Sequence, residues 1–335
     1  NIILLRNSSR KKIRGTTRWL DLFKSDNHFH VALDDTASLM RILRFILDCP
    51  VTLTISGGFF RGWAALGMLK AFYEQKVPID AIGGTSIGAI VGAIHATSHN
   101  NYEEIYEKFD ALYTAEEHPF QFRRYTLPIT SLLSGAKGTR ALKNLFGGLT
   151  LEDLSLNYFC VAFNLTHNHA HVFRRGPLWL ALRTTSSVPA LIPPVEINGD
   201  IYVDGGIINN FPIDIMQEIF KNTGLYIGIA LGNYQSITEN YHFPPILRAW
   251  DLILYKLGLK NYRLPKLDTI LLESLFASAT VLTRRNLPLA DILIRPELTE
   301  YKRWALKRTK VQSFIDIGYR HAMMTLEQQA DLFDN

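Results

Sequence analysis

Ser86 lies in Gly84-Thr85-Ser86-Ile87-Gly88, a Gly-x-Ser-x-Gly pentad between the apolar-rich Ile79-Asp80-Ala81-Ile82 and a run of small residues, 89–96. That layout predicts a nucleophile elbow: a strand, a sharp turn exposing one hydroxyl, then a helix. Glycines suit such a turn because two backbones pass close together and leave no room for side chains. A serine hydroxyl becomes a nucleophile only when a base takes its proton and the resulting oxyanion is stabilised. Two other segments offer those functions. Downstream, Asp204-Gly205-Gly206 follows the short strand-like run Ile201-Tyr202-Val203 and supplies a carboxylate. Partly desolvated, with its pKa raised, that aspartate would suit proton abstraction near neutral pH. Upstream, Gly57-Gly58-Phe59-Phe60-Arg61-Gly62 follows the β-branched run 51–55, where loop amides at a helix start can face an anion. Each segment alone has a commoner use, since Gly-x-Ser-x-Gly arises by chance and Asp-Gly-Gly is an ordinary turn. Three strand-end motifs in this order point to catalysis, by a scheme requiring no metal or organic cofactor.

Other arrangements are weaker. The Gly57-Gly58 turn lacks the spacing of a dinucleotide loop, and Lys137-Gly138-Thr139 runs in the wrong order for a nucleotide P-loop. An α/β-hydrolase triad would draw on His242 or His321, but that fold sets several strands before its elbow and only two are legible here. His167, His169 and His171 alternate, so an extended strand would line three imidazoles on one face, able to hold zinc. They fall in what reads as an exposed hairpin turn, which is the favoured reading.

The elements that must position these groups follow from hydrophobic spacing. Leu39, Ile42, Leu43 and Ile46 predict a helix over 36–47, capped by Asp34 or Asp35. A buried strand over 51–55 leads through the glycine loop into a helix over 62–76, which stops before Val77-Pro78. A second strand and the elbow helix follow, and this order implies parallel strands. A charged helix over 102–113 precedes a loop-rich stretch to about Gly148. Residues 158–163 and 171–174 read as a hairpin, and a helix from about Leu178 ends at the turn Ser187-Val188-Pro189. A helix over 212–220, an apolar strand over 225–231 and a mostly helical remainder from 246 complete the chain. Within that remainder, Leu247, Trp250, Leu254 and Leu257 accompany Arg248 and Lys256. Packing of this segment onto the core is the expectation, and an interfacial membrane helix the alternative.

The 335 residues are 47% hydrophobic and 20% charged, which suits a folded chain with a sizeable core and excludes a disordered one. Two cysteines make no disulfide framework; Cys160, in an apolar run, reads as a buried thiol. The formal charge of +5 is uneven: residues 1–20 hold six basic side chains and no acidic one, and 246–310 hold thirteen against six. Such regions suit an anionic surface or simply a solvated basic face, and no nucleic-acid partner is expected. The first residue is Asn1, so a piece of a longer chain is expected, and no secretory signal is legible. The longest low-polarity run, 81–96, falls short of the ~18–20 residues a bilayer demands, so any membrane contact would be peripheral.

The glycine loop with Arg61 and Gly62, the Gly-Thr-Ser-Ile-Gly elbow and the Asp-Gly-Gly loop together resemble those of patatin-like phospholipases. Four further segments are similar to the neuropathy target esterase branch: Thr17-Arg18-Trp19-Leu20, Pro128-Ile129-Thr130-Ser131, Ser187-Val188-Pro189 with Pro193-Pro194, and the stretch from Val203 to Pro212. The likeness is weakest over 233–285. It implies a three-layer α/β/α domain with a mainly parallel central sheet over 51–232, an N-terminal basic arm and lead-in helix over 1–50, and a helical C-terminal extension over 233–335. By this resemblance Ser86 is the nucleophile and Asp204 its base. Gly57, Gly58, Phe59, Arg61 and Gly62 form the oxyanion loop, supported by Gly84, Gly88, Gly205 and Gly206. The implied reaction is hydrolysis of fatty acyl esters of (lyso)phospholipids through an acyl-serine. The resemblance also implies a cytoplasmic, peripherally membrane-associated protein with regulatory modules upstream. In one respect the chain departs from the family loop: Phe59 stands where a third consecutive glycine is usual. A backbone N–H survives there, but a position needing positive φ would strain phenylalanine. The expectation is a competent loop with an altered acyl pocket; the alternative is an impaired lipid-binding or scaffold module.

Overall fold

The computed structural model describes residues 2–9, 12–25, 27–98, 101–116, 126–221, 223–232, 240–298 and 310–329. The chain opens with β1 (Ile2–Arg6), α1 (Thr16–Phe23), β2 (His28–Ala32) and α2 (Thr36–Ile46). Strand and helix then alternate through β3 (Val51–Ile55), α3 (Gly62–Glu74), β4 (Ala81–Thr85) and α4 (Ile87–Thr97). The helices α5 (Tyr102–Glu116) and α6 (Ala136–Phe146) precede the hairpin of β5 (Asn157–Asn164) and β6 (His169–Phe173). Next come α7 (Leu178–Thr185), β7 (Val195–Ile197), β8 (Asp200–Asp204), α8 (Ile213–Ile219) and β9 (Leu225–Ile229). The last elements are α9 (Ala249–Lys256), α10 (Leu267–Asn286), β10 (Ile292–Ile294) and α11 (Val311–Gln328).

Eight strands share one sheet in the order β10-β9-β3-β4-β5-β8-β7, with β6 also paired to β5. The five from β10 to β5 run parallel, whereas β6 and β8 are antiparallel to β5. Parallel strands need cover on both faces, and the side-chain alternation supplies it. Along β5, Tyr158 and Cys160 enter the larger apolar cluster with α3, α4 and α11, while Phe159 and Val161 enter a second cluster with Phe211, Ile213 and Met216. The result is the expected three-layer α/β/α architecture. Asp35 caps α2, its carboxylate accepting from the Ala37 N–H at 3.1 Å. Cys160 is buried, which pushes its thiol up to about 12, and Cys49 is exposed.

Three local expectations need correction. The stretch before Gly148 contains a helix, α6, anchored by Leu142 and Phe146 one turn apart in the core; two anchors and an internal Gly138 gave little periodic signal. The C-terminal region is not only helical, because β10 pairs with β9 at the sheet's edge. The basic arm carries β1, which pairs in parallel with β2 in a separate two-stranded sheet. That segment is tied to the body where Thr17 Oγ1 donates to Glu152 and the His28 and His30 rings both meet the Glu152 carbonyl. A fourth difference concerns α9, none of whose residues is buried.

Candidate active site

Ser86 stands between β4 and α4, at the N-cap of the helix, with φ 54° and ψ −124°, outside the regions an L-residue favours. Holding a side chain there costs about 1–3 kcal/mol, so the surroundings must over-determine the turn. They do so at close range. A Cβ on Gly88 would collide with the carbonyl oxygens of Ile55 and Ser56, so the start of α4 rests directly on the end of β3. The Ser86 N–H donates to Thr185 Oγ1 at 3.0 Å, and the Thr185 hydroxyl itself donates to the Val161 carbonyl.

Asp204 reaches Ser86 through sheet register. On β5, residues 160–164 pair with β6 along one edge, so β4, which pairs with 157–161, and β8, which pairs with 162–164, share the other. Parallel β4 and antiparallel β8 therefore run head-on along that edge. Thr85 sits opposite Val161 and Asp204 opposite Ala162, so the two strands end at consecutive positions. Ser86 Oγ then donates to Asp204 Oδ2 at 2.7 Å, and the Gly206 N–H donates to Oδ1 at 2.7 Å. The Asp204 N–H is held by the Ser187 carbonyl at 2.9 Å. Asp204 is 1% exposed, and this burial raises its carboxyl to about 7 against the smaller opposing effects of the two hydrogen bonds. Among the described residues no imidazole contacts either carboxylate oxygen. His242 bridges to Arg263 and His321 lies on α11, so neither completes a triad with this pair. The three alternating histidines do line up, at 6.3 and 6.4 Å between ring centroids, with His167 3.1 Å from Asp200.

The glycine loop lies beside this pair. Gly57 packs against Ser86 and Asn210, and its N–H donates to the Asn210 carbonyl at 3.0 Å. That amide is thereby spent, and Gly57 serves by its small size. Gly58 follows in extended backbone, and its N–H has no acceptor among the described residues. Phe59 adopts φ 54°, the conformation that strains a phenylalanine. Its ring meets Phe276 of α10 edge-on at 6.1 Å. Arg61 is 9% exposed and donates to the Leu231 carbonyl at 3.4 Å, tying the loop to the strand end after β9. Gly62 and Gly84 pack against Ile87 and the Ile55 carbonyl respectively, and Gly205 against the Val161 carbonyl.

Three residues to which the sequence assigned no role in the site belong to this neighbourhood. Thr185 holds the elbow amide, Asn210 bridges the glycine loop to the base loop, and the Phe276 ring lies over Gly206, 3.1 Å from where a Cβ would stand. Asn210 sits inside the Val203–Pro212 stretch, which was a usable signal. Thr185 and Phe276 had none, being an ordinary hydroxyl at a helix end and one apolar residue among many.

Residues 53–216 match the family model described as patatin-like phospholipase. The chain thus matches the patatin-like family across the segment that holds Ser86 and Asp204. Among its relatives, "Neuropathy target esterase sws" of Drosophila melanogaster is 28% identical over 83% of this chain and 20% of that protein. "Lysophospholipase NTE1" of Meyerozyma guilliermondii is 27% identical over 84% of this chain and 20% of that protein. "Uncharacterized NTE family protein MT2641" of Mycobacterium tuberculosis is 29% identical over 94% of this chain and 52% of that protein. The likeness is therefore to the neuropathy target esterase branch. This patatin-like chain spans about a fifth of the two eukaryotic relatives and about half of the mycobacterial one.

Proposed function

We propose that this patatin-like chain is a serine esterase that hydrolyses fatty acyl esters of (lyso)phospholipids with Ser86 as nucleophile and Asp204 as base. The observation that carries the reading is the 2.7 Å hydrogen bond between Ser86 Oγ and a buried carboxylate poised near neutral pH. In the first step Ser86 Oγ attacks the ester carbonyl as its proton passes to Asp204 Oδ2. The tetrahedral oxyanion faces the Gly58 amide and the first-turn amides of α4, which lack intrahelical acceptors and carry the positive end of the helix dipole. Protonated Asp204 gives its proton to the departing glycerol oxygen, leaving an acyl-serine. Water then attacks that ester, its proton passes to Asp204, and the returning proton restores Ser86. A carboxylate with pKa of about 7 is half ionised at neutral pH and a stronger base than an exposed aspartate.

The names of the relatives support a lipid ester as substrate, in one case a lysophospholipid. We further propose that the lipid is met at a membrane surface from the cytoplasmic side; no helix among the described residues is long and apolar enough to cross a membrane. The oxyanion loop is proposed to work through Gly58, with Phe59 shaping the acyl site and Gly57, Arg61 and Gly62 as its scaffold. Catalytic function is assigned to 51–232, with 1–50 and 233–335 as flanking parts and regulatory modules upstream in the intact protein.

A fluorophosphonate probe tests the assignment. Labelling of the parent, lost in Ser86→Ala and strongly slowed in Asp204→Asn, together with turnover of a lysophospholipid, is expected. The strained φ of Phe59 favours a second reading, a lipid-binding module with an incompetent loop, and a parent that takes no label would support it.

A further inference from the structure

The helices α9 and α10 carry an apolar surface that nothing among the described residues covers. Ile246, Trp250, Ile253 and Leu257 recur at helical spacing along α9 and its flanks, and Trp250 and Leu257 are 66% and 67% exposed. Leu259, in the connection to α10, and Leu267, at its start, are 71% and 72% exposed. On α10 the pattern is two-sided. Phe276, Ala279 and Thr283 face inward, while Leu267, Ile270, Leu271, Leu275 and Val281 stay on the outside. A helix apolar on both sides is stable beside another apolar phase, a protein or a bilayer.

We infer that the exposed faces of α9 and α10 dock on an anionic phospholipid surface and deliver lipid from it to the Ser86 site. Charge selects this occupant. From 246 to 272 the sequence holds Arg248, Lys256, Lys260, Arg263 and Lys266 against Asp251 and Asp268, and Asp251 is itself paired with Lys260. Basic side chains among exposed leucines and a tryptophan are the composition of an interfacial helix, and an anionic leaflet attracts them. Continuity with the site is the second argument. The inward face of α10 meets the candidate active site through Phe276, whose ring lies over Gly206 and against Phe59. One helix thus presents leucines to the outside and an aromatic ring to the loops that hold the Ser86–Asp204 pair. The inference deepens the lipid-ester reading, on which the choice of occupant rests.

The test uses the whole 335-residue chain and vesicles of phosphatidylcholine with one-fifth phosphatidylserine. The parent is expected to float with these vesicles and to float less with pure phosphatidylcholine or in high salt. Trp250→Glu with Leu257→Glu is expected to lower partitioning by roughly tenfold or more, since both side chains are widely exposed and a charge replaces each. The same double variant should keep its gel-filtration position, its thermal midpoint, its fluorophosphonate labelling and its turnover of a soluble short-chain ester, while turnover of vesicle-borne lipid falls. Flotation of the double variant equal to the parent's overturns the proposal, as does a parent that never floats. A parent that elutes as a dimer and a variant that elutes as a monomer also overturn it, in favour of a second copy on this face. Failure of the serine esterase reading has a different signature: no labelling at Ser86, whatever the vesicles show.

Discussion

Asp204→Asn should make the protein more stable while disabling it, and the gain should depend on pH in a way that identifies its cause. Burial raises the Asp204 carboxyl from 3.8 to about 7. Well below pH 3.8 the group is protonated in both folded and unfolded chains and costs nothing. As pH rises from 4 to 7 the unfolded carboxyl ionises freely while the folded one retains its proton, so the folded state loses ground by about 1.4 kcal/mol per pH unit. The accumulated penalty above pH 7 is about 4 kcal/mol, and at pH 5 it is only about 1–2 kcal/mol. Asparagine preserves both hydrogen bonds, its oxygen accepting from the Gly206 N–H and its amide donating to Ser86 Oγ, but carries no charge to desolvate. With an unfolding entropy of about 2.1 cal/mol/K per residue over 335 residues, the melting temperature should rise by roughly 6 °C at pH 8 and roughly 2 °C at pH 5. The assay is differential scanning fluorimetry or calorimetry of both proteins across pH 4–8, read as the difference between variant and parent. Subtraction matters because His30 and His95, each pushed down to about 4 by burial, oppose the trend. They bind protons more readily in the unfolded chain between about 4 and 6.5, so their contribution to stability rises with pH. A gain of equal size at pH 5 and pH 8, or a variant less stable at pH 8, would refute the claim that this carboxylate is buried at a cost to the fold.

Other predictions follow from the same geometry. Activity on a soluble ester should climb with pH through an apparent pKa near 7, as Asp204 ionises; a limb centred near 4 in the pH–rate profile contradicts the raised carboxyl. Thr185→Val removes the acceptor for the Ser86 N–H at nearly constant shape, a loss of about 1–3 kcal/mol, so labelling at Ser86 should slow by roughly tenfold or more with the fold retained by circular dichroism. Phe59→Gly relieves about 1–2 kcal/mol of backbone strain and forfeits an aromatic pair of about 0.5–1.5 kcal/mol, so stability should change little. The same change should shift acyl-chain preference in a panel of lysolipids without abolishing turnover; an inert parent made active by it would show that the native loop is incompetent. Gly88→Ala should leave the protein insoluble, because both obstructing atoms are backbone carbonyl oxygens that cannot move aside.

Much of the frame was legible in the residues. The β-branched run of β3 and the spacing in α2 and α3 located those elements closely, because hydrophobic periodicity is a local property of the chain. The positions of Ser86 and Asp204 at strand ends were legible for the same reason: each lies where an apolar run meets glycine. The histidine alternatives could be ranked but not dismissed by pattern alone. Helix α6 and strand β10 were missed, the one for want of enough apolar anchors and the other because three residues are too few to show a period. The exposure of α9 also lay beyond the sequence, since an amphipathic pattern reads the same whether its apolar face meets a core or a membrane.

From residue order alone came two strand-end motifs, 118 positions apart, with chemistry that could be complementary. Only the tertiary structure brought them together. The edge of β5 receives β4 in one direction and β8 in the other, so that two chain ends stop one register position apart. The same packing removes water from Asp204, raising its carboxyl to about 7, and sets Thr185, Asn210 and Phe276 around it. Turns and periodicity belong to neighbouring residues, whereas strand pairing and desolvation belong to the assembled sheet, which is why the two kinds of information separated where they did.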